Sequence, residues 1–218
     1  MLDLVASVNN YLATLPWLEL IAMLLALAYV ILAAQGSIWC WPAAFVSTAI
    51  YTIIFYDVSL LMDSALNVYY LIMAVYGYWV WQKNTQAHHQ QNSSPLVIVT
   101  WHVSWHVKAC IILTIISLVL GYIMATITTA SFPYLDTFTT VFAVFTTYLV
   151  AQKVLENWLY WIVIDTVSIY LYIEKGLIPT TVLFIINVLI AGYGYFKWLA
   201  IYRRSKIEQI NLSTLVTG

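Results

Sequence analysis

Long apolar runs divide the chain into seven segments, separated by prolines, glycines and polar residues. A helix needs roughly 20 apolar residues to cross the hydrocarbon core of a bilayer, and these runs have about that length. They extend from about Trp17 to Ala34, Ile38 to Tyr56, Asp63 to Lys83, Ala109 to about Ile127, Pro133 to Gln152, Asn157 to Ile173 and Leu177 to about Leu199. Polar and apolar residues do not alternate within the runs, as they would in barrel strands. The pattern therefore predicts an all-α membrane protein with seven transmembrane helices.

Two prolines agree with these predicted helix starts. Pro16 directly precedes the first run, and a proline is well tolerated at the first position of a helix. Pro42 falls in the first turn of the second run, where the missing N–H group costs little. We therefore expect the first helix to begin at about Trp17.

The composition agrees with a lipid environment. Of the 218 residues, 63% are hydrophobic and only 8% are charged, whereas soluble domains carry about 25% charged residues. The net charge of -1 says nothing about nucleic acid, but no basic arm or stripe is present that could neutralise phosphates, so we expect no nucleic-acid partner. Cys40 and Cys110 lie in apolar runs and are expected to be buried thiols rather than a disulfide. No Lys or Arg precedes Lys83, so the charged start of a cleavable signal peptide is not expected.

One short pattern occurs twice. Residues 76–81 read Tyr-Gly-Tyr-Trp-Val-Trp and residues 193–198 read Tyr-Gly-Tyr-Phe-Lys-Trp, an offset of 117 residues. The same offset, applied without a gap, pairs Pro16 with Pro133, Gln35 with Gln152, Trp41 with Trp158, and Asp57 with Glu174. Several matches in one ungapped register predict the duplication of a structural unit.

The predicted layout is two three-helix repeats joined by a connecting helix. Residues 1–82 form the first repeat, 83–132 a polar linker and the connecting helix, 133–200 the second repeat, and 201–218 a cytoplasmic tail. The linker at residues 83–107 is rich in Gln, Asn, Ser and His and is expected to be solvated. Because three helices plus one connector preserve the direction of the chain, the sequence predicts a parallel repeat about an axis along the membrane normal.

Basic residues are distributed unequally between the two predicted sides. One side collects Lys83, Lys108, Lys153, Lys197, Arg203, Arg204 and Lys206, whereas the other collects only Lys175. Loops with an excess of Lys and Arg lie in the cytoplasm. The sequence therefore predicts a cytoplasmic C-terminus and an N-terminus outside.

Asp165 lies near the middle of the predicted sixth helix, where a carboxylate is costly and is commonly functional. Helical spacing places four other side chains on its face: Trp158, Trp161, Ser168 and Tyr172. The offset maps this face onto Trp41, Ala44, Thr48, Tyr51 and Phe55 of the second helix. The two copies differ because Trp161 replaces Ala44 and Asp165 replaces Thr48. We therefore expect a site for an asymmetric ligand with a flat ring and polar groups. The alternative is an aspartate that hydrogen-bonds to a Ser or Thr of a neighbouring helix.

Amide side chains form a second group of candidates: Gln152, Asn157, Asn67 and Asn187. Amides in lipid-embedded helices either join helices together or hydrogen-bond the polar groups of a ligand. The offset maps Asn187 onto Tyr70, which lies one helical turn from Asn67. The two asparagines are therefore expected on similar faces of the third and seventh helices. Gln152 and Asn187 are the stronger candidates for substrate contact.

Other kinds of site find little support in the sequence. His102 and His106 have the i, i+4 spacing of a helical metal site, but they lack acidic or thiolate partners nearby, so we expect no metal and no cofactor. Asn92 begins a glycosylation acceptor but falls on the predicted cytoplasmic side. The chain has no phosphate-binding glycine loop and no pair of nucleophile and base, which argues against an ATP-driven pump and a hydrolase. The glycines of the repeated Tyr-Gly-Tyr pattern are expected to permit close helix approach.

Two regions carry a family resemblance. Residues 152–161 begin with Gln152 and contain Glu-Asn-Trp and a second Trp, and Asp165 and Asn187 follow. Residues 39–42 read Trp-Cys-Trp-Pro and lead into Tyr51 and an aromatic pair. With the three-one-three layout, the chain resembles the PnuC vitamin transporters over nearly its whole length.

This resemblance implies facilitated diffusion of nicotinamide riboside across the bacterial inner membrane. It also implies a topology similar to that of the SWEET sugar carriers, a homotrimer, and trapping of the substrate by a cytosolic kinase. Other branches of the family are thought to carry thiamine or riboflavin. We expect transport by rocking of the two repeats around a site near the bilayer midplane, and no coupled ion is evident.

The candidate residues suit the implied substrate, a cationic aromatic ring joined to ribose. The two indoles of the sixth helix and Tyr148 are expected to surround the ring. Gln152 or Asn187 would hold the carboxamide or the ribose, and Asp165 would offset the charge or bind a hydroxyl. The predicted substrate-binding set is Trp158, Trp161, Gln152, Asp165, Asn187, Tyr148, Asn157, Trp41 and Asn67.

Two alternatives stay open at the level of sequence. The first is a thiamine, riboflavin or sugar carrier on the same scaffold. The second is a membrane-embedded enzyme or a scaffold subunit that would use Asp165 and the histidines.

Overall fold

The computed structural model describes residues 2–57, 61–89, 97–128, 131–176 and 178–217. These residues form seven α-helices: α1 (Leu2–Ala34), α2 (Cys40–Asp57), α3 (Leu61–His89), α4 (Val103–Ile127), α5 (Pro133–Ala151), α6 (Asn157–Glu174) and α7 (Ile178–Thr217). Each predicted span coincides with one helix, so the prediction of an all-α fold with seven helices is confirmed.

Three helices are longer than the apolar runs that predicted them. Helix α1 begins at Leu2 and contains Pro16, so the helix starts earlier than expected, although its segment that is apolar enough to cross a membrane does begin at Trp17. Helix α3 continues past Lys83 to His89, and α7 continues to Thr217. Hydropathy detects the part of a helix that fits the lipid, whereas polar residues can continue the same backbone hydrogen bonding into water. At 1.5 Å per residue α7 is roughly 60 Å long, about twice the hydrocarbon thickness.

Within the described residues, four helices are long and apolar enough to cross a membrane by length and composition alone. The qualifying segments are Trp17–Ala34, Val103–Ile127, Pro133–Ala151 and Thr180–Glu208. Helices α2, α3 and α6 carry more polar or aromatic residues. In α6, for example, Asn157, Asp165 and Ser168 are buried inside the protein, where a polar group avoids contact with lipid.

The helices form two groups of three that face each other. In the first group α2 packs between α1 and α3, and in the second α6 packs between α5 and α7. The groups meet where α1 contacts α7 and where α3 contacts α5. Helix α4 packs against α5 and leaves much of its surface apolar and exposed, as lipid contact requires.

The turns after α1 and α5 have the same backbone geometry. Gly36 and Lys153 both adopt a positive φ, 72° and 56°. Gly36 N donates to Ala33 O at 2.9 Å, and Lys153 N donates to Val150 O at 3.0 Å. This left-handed conformation ends many helices and normally calls for glycine. The two turns lie 117 residues apart, the offset of the repeated sequence pattern.

A short extended segment crosses the α5–α6 turn. Residues 97–102, here called the strap, pair with this turn through Val99, whose N donates to Lys153 O at 3.1 Å. Leu155 N in turn donates to Val99 O at 2.8 Å. Ile98 is buried in the core beside the ends of α1 and α5. The last residues of the polar linker are therefore packed on the protein, although their composition predicted a solvated segment. The Asn92 acceptor lies outside the described residues.

Candidate substrate site

Four tryptophans meet where α1 and α5 end, and each is at most 2% exposed: Trp41, Trp81, Trp158 and Trp198. The rings of Trp41 and Trp81 are perpendicular, with centroids 5.5 Å apart, and those of Trp158 and Trp198 are perpendicular at 5.4 Å. Trp81 and Trp198 join the two pairs at 6.1 Å. Edge-to-face pairs of this kind add about 0.5–1.5 kcal/mol beyond the burial of their area. We call this group the tryptophan cluster.

The repeated glycines make room for this cluster. A Cβ atom on Gly77 would lie 2.3 Å from the ring of Trp41, and one on Gly194 would lie 2.8 Å from the ring of Trp158. Real Cβ atoms essentially never approach so closely. The expected structural role of the Tyr-Gly-Tyr glycines thus has a specific cause, since each lets an indole lie flat on a helix.

Hydrogen bonds across the cluster join the two groups of helices. Trp81 Nε1 of α3 donates to Ala151 O at the end of α5, at 3.2 Å. Trp198 Nε1 of α7 donates to Ala33 O near the end of α1, at 3.1 Å. Lys153 Nζ lies 4.9 Å from the centroid of the Trp81 ring. Together these contacts close the interior at this end.

Two cavities lie between the helix groups. The first has a volume of about 230 Å³ and is lined mainly by α1, α2 and α3, through Ala26, Tyr29, Trp41, Ala44, Ser47, Thr48, Tyr51, Asn67, Tyr70, Thr147 and Trp161. The second has about 210 Å³ and is lined mainly by α1, α6 and α7, through Tyr29, Val30, Ala33, Val150, Trp158, Trp161, Asp165, Phe184, Asn187 and Ala191. Both contain Tyr29 and Trp161, which therefore stand between them. Taken together, the two cavities reach the size of about 300–1,000 Å³ that is usual for ligand sites.

The offset of 117 residues relates the two cavities. It pairs Trp41 with Trp158, Ala44 with Trp161, Thr48 with Asp165, Asn67 with Phe184 and Tyr70 with Asn187, and each pair has one member in each cavity or on their shared wall. Aromatic rings line both cavities, but the first is richer in hydroxyl groups, whereas the second holds the carboxylate of Asp165. This difference agrees with the expectation of a site for an asymmetric ligand.

Asp165 is 5% exposed and faces the second cavity beside Trp161 and Asn187. Within the described part of the chain, no Lys, Arg or His forms an ion pair with its carboxylate; the ion pairs there are His106–Glu156 and Lys175–Asp136. No Ser or Thr donor reaches it either, and Ser168 Oγ donates instead to Ile164 O of its own helix, at 3.0 Å. The described residues thus give no support to the alternative in which a neighbouring helix satisfies Asp165.

The other predicted site residues divide into two sets. Six of the nine line the cavities: Trp41, Asn67, Trp158, Trp161, Asp165 and Asn187. The remaining three lie nearer the closed end. Gln152 Nε2 donates to the Tyr76 hydroxyl at 2.6 Å, and Tyr148 stacks on Tyr76 with ring centroids 6.5 Å apart. Asn157 is fully buried, and its Nδ2 donates to Val154 O at 2.6 Å.

Several lining residues were missed by the sequence reasoning: Tyr29, Ser47, Tyr70, Thr147 and Phe184. Tyr70 could have been found, because it is the counterpart of Asn187. Tyr29 offered no such signal, since its counterpart is Thr146 and every apolar run of this chain contains at least one tyrosine. Its position between the cavities becomes apparent only once α1 is packed against α7.

The histidines near the strap make local contacts. His102 Nδ1 accepts a hydrogen bond from Ser104 N at the start of α4, at 3.3 Å. His106 Nδ1 lies 3.1 Å from the Tyr160 hydroxyl, and His106 Nε2 lies 3.7 Å from Glu156 Oε2. In the described parts of the sequence, no group of three or more His, Cys, Asp or Glu side chains is placed to hold a metal ion.

Comparison with known proteins relates this architecture to one family of transporters. The family described as nicotinamide mononucleotide transporter matches residues 16–200. The nicotinamide riboside transporter PnuC of Escherichia coli (strain K12) is 22% identical to this chain, with coverage of 88% of the chain and 93% of that protein. The PnuC protein of Shigella flexneri gives the same values. The crystal structure of a vitamin B3 transporter PnuC matches with a TM-score of 0.70 at 18% identity, over 94% of this chain and 89% of that one.

The match to the family extends over most of the chain and includes all the residues that line the two cavities. It confirms the predicted resemblance and the expectation of a carrier rather than an enzyme. The chain therefore belongs to the nicotinamide mononucleotide transporter family, whose relatives include the PnuC proteins, and it is a multi-pass membrane transporter of small molecules.

Proposed function

We propose that this protein takes up nicotinamide riboside across the bacterial inner membrane by facilitated diffusion. The observation that carries the proposal is the paired cavity, which is lined by aromatic rings throughout and has the unpaired carboxylate of Asp165 on one side and several hydroxyl groups on the other. Nicotinamide riboside has two ends that complement these two sides, a cationic ring at one end and a ribose at the other. The names of the relatives in Escherichia coli and Shigella flexneri support the same substrate.

The predicted residues receive the following roles. Trp158 and Trp161 contact the pyridinium ring, with Asp165 as its counter-ion. Asn187 hydrogen-bonds the carboxamide, and Trp41 and Asn67 contact the ribose. Tyr148, Gln152 and Asn157 act at the closed end and would meet the substrate only when that end opens.

The proposed mechanism is alternating access, in which two parallel repeats rock about the paired cavity. The tryptophan cluster is the contact that must part for release. Lys153 lies against the Trp81 ring, and Lys83 and Lys197 are neighbours in sequence of Trp81 and Trp198. These basic side chains support a cytoplasmic location for this end, with the C-terminus inside and the N-terminus outside. Phosphorylation by a cytosolic kinase would then trap the substrate. A homotrimer with SWEET-like repeats remains part of this proposal.

Binding to the purified protein tests the proposed substrate. We expect nicotinamide riboside to bind more tightly than thiamine and riboflavin. Replacing Trp161 by Ala should weaken binding by at least about tenfold, because a desolvated cation–π contact contributes about 2 kcal/mol or more. Trp39→Ala is the matched control, since Trp39 is 69% exposed and lines neither cavity. Equal affinity in the Trp161 variant would remove this residue from the site.

Thiamine is the second candidate, because its thiazolium ring is also a cation that Asp165 and the surrounding aromatic rings could hold. Submicromolar thiamine binding without a signal from nicotinamide riboside would replace the substrate and leave the carrier mechanism in place. Chemical turnover of any ligand would instead favour the enzyme alternative.

A further inference from the structure

The two cavities differ in charge at one pair of matched positions. Thr48 lines the first cavity, and its hydroxyl donates to Ala44 O of its own helix at 2.8 Å. Asp165 takes the matching position in the second cavity and has neither a hydrogen-bond donor nor a cation among the described residues. One cavity is therefore neutral, and the other contains a carboxylate without a partner.

An unpaired carboxylate inside a protein is costly unless a cation or a set of donors satisfies it. The second cavity also contains four aromatic rings: Tyr29, Trp158, Trp161 and Phe184. The faces of such rings attract cations. The carboxylate and the rings therefore favour the same ligand group, a flat cation.

The Ser, Thr and Asn side chains of the first cavity offer hydrogen-bond acceptors, beside tyrosine hydroxyls that can donate or accept. The hydroxyls of Ser47, Thr48 and Thr147 each donate to a backbone carbonyl at 2.8 Å, which leaves their oxygen lone pairs as acceptors. Asn67 Nδ2 likewise donates to Asp63 O at 2.9 Å, so its Oδ1 is the atom that can accept. An uncharged surface rich in acceptors complements a group with several hydroxyl donors, such as a sugar.

We infer that Asp165 selects the substrate by charge and fixes its orientation, with a cationic ring in the second cavity and the sugar in the first. This inference rests on the proposed function and specifies the chemistry of its site. It distinguishes a pyridinium riboside from the dihydropyridine riboside of nearly the same shape, which lacks the positive charge.

Equilibrium binding of three probes to the purified full-length protein tests this inference. The probes are nicotinamide riboside, its neutral dihydro form, and the 1-methylnicotinamide cation, which has the ring but no sugar. The wild-type protein should prefer the cationic riboside over the neutral one by at least about tenfold, the factor that 1.4 kcal/mol gives. Asp165→Asn should abolish this preference, mainly by weakening the two cations. Asp136→Asn is the control, since Asp136 pairs with Lys175 away from both cavities and should leave the preference unchanged.

The assigned orientation is tested separately. Thr48→Val removes an acceptor from the first cavity and should weaken the riboside severalfold while leaving 1-methylnicotinamide unaffected. The inference is wrong if the wild type binds the cationic and neutral ribosides equally, a result that needs no variant. It is also wrong if Asp165→Asn retains the preference, or if Thr48→Val weakens both cations alike. Failure of the wild type to bind nicotinamide riboside at all would instead contradict the proposed function.

Discussion

Lys153 lies in surroundings that are unusual for a lysine side chain. It is 1% exposed, lies at the seam between the helix groups, and adopts the left-handed conformation that its counterpart Gly36 reaches without strain. Such a backbone costs a residue other than glycine about 1 kcal/mol or more. Burial also lowers the pKa of Lys153 to about 8 from 10.5, and the nearby Cys40 opposes this shift only in part.

Replacing Lys153 by Met should therefore change how stability depends on pH. The unfolded chain keeps the lysine proton up to a pKa of 10.5, whereas the folded protein releases it at about 8. Below pH 8 the folded state bears the full cost of the buried charge, up to about 3 kcal/mol, and this cost disappears as the pH rises towards 10.5. Relative to Lys153→Met, the wild type should gain stability over this range, as measured by thermal unfolding in detergent. A difference in stability between the two proteins that does not change with pH would show that the folded state bears no cost for a buried charge on Lys153.

Gly194 and Gly192 provide a matched pair in α7. A Cβ on Gly194 would overlap the Trp158 ring, whereas one on Gly192 would have no neighbour within 4 Å. We expect Gly194→Ala to destabilise the protein by about 1–3 kcal/mol, as overpacking does. Gly192→Ala should be neutral or stabilising by up to about 1 kcal/mol, because alanine favours a helix. Equal unfolding temperatures for the two variants would contradict the packing of the tryptophan cluster.

At the residue scale, the sequence pointed to a cavity-lining side chain where that side chain was unusual in its surroundings. Asp165 stands out because it is a charge within an apolar run, and the spacing of Trp158 and Trp161 from it defines a face. Tyr29 could not be predicted, since its role depends on which helix packs against α1. Gln152 was weighed equally with Asn187, yet only the structure separates an amide that bonds to Tyr76 from one that lines a cavity.

At the scale of helices, the main feature is the reciprocal connection between the groups. The indole of Trp81 in α3 donates a hydrogen bond to the end of α5, and the indole of Trp198 in α7 donates one to the end of α1. In the proposed mechanism these two hydrogen bonds must break together when the tryptophan cluster opens.

Cys40 offers a natural probe of this opening, because it is fully buried beside the cluster. In a Cys110→Ser background, Cys40 should react slowly with a small water-soluble thiol reagent. The double change Trp81→Phe and Trp198→Phe removes both indole donors and should raise the reaction rate by about tenfold or more, since each hydrogen bond contributes about 1 kcal/mol. Trp105→Phe is the control, because Trp105 is largely exposed. An unchanged rate in the double variant would show that these bonds do not hold the end closed.

Helix existence could be predicted from the sequence, but helix ends could not. Apolar length identifies each span, whereas α1 and α7 extend beyond the apolar residues. The strap was read as solvated because its pairing partner, the α5–α6 turn, is more than fifty residues away in sequence. Non-local pairing of this kind leaves no local pattern.

At the scale of the whole molecule, matched contacts at one offset support two parallel halves. The turns at Gly36 and Lys153, the indole pairs, and the indole–glycine contacts each occur twice. Parallel halves would bring both copies of the tryptophan cluster to the same end of the bundle, whereas inverted halves would separate them across the membrane. The paired cavity and its single carboxylate depend on this arrangement.

Side-specific labelling of two matched positions tests that arrangement most directly. Asp57 and Glu174 are exposed, lie 117 residues apart, and end α2 and α6. Each is replaced by Cys, singly, in a Cys40→Ser, Cys110→Ser background, with Arg203→Cys as a marker of the opposite side, which is proposed to be cytoplasmic. In intact cells, a membrane-impermeant thiol reagent should label Asp57→Cys and Glu174→Cys but not Arg203→Cys. Labelling of only one of the two matched positions would show that the halves are inverted and would contradict the account.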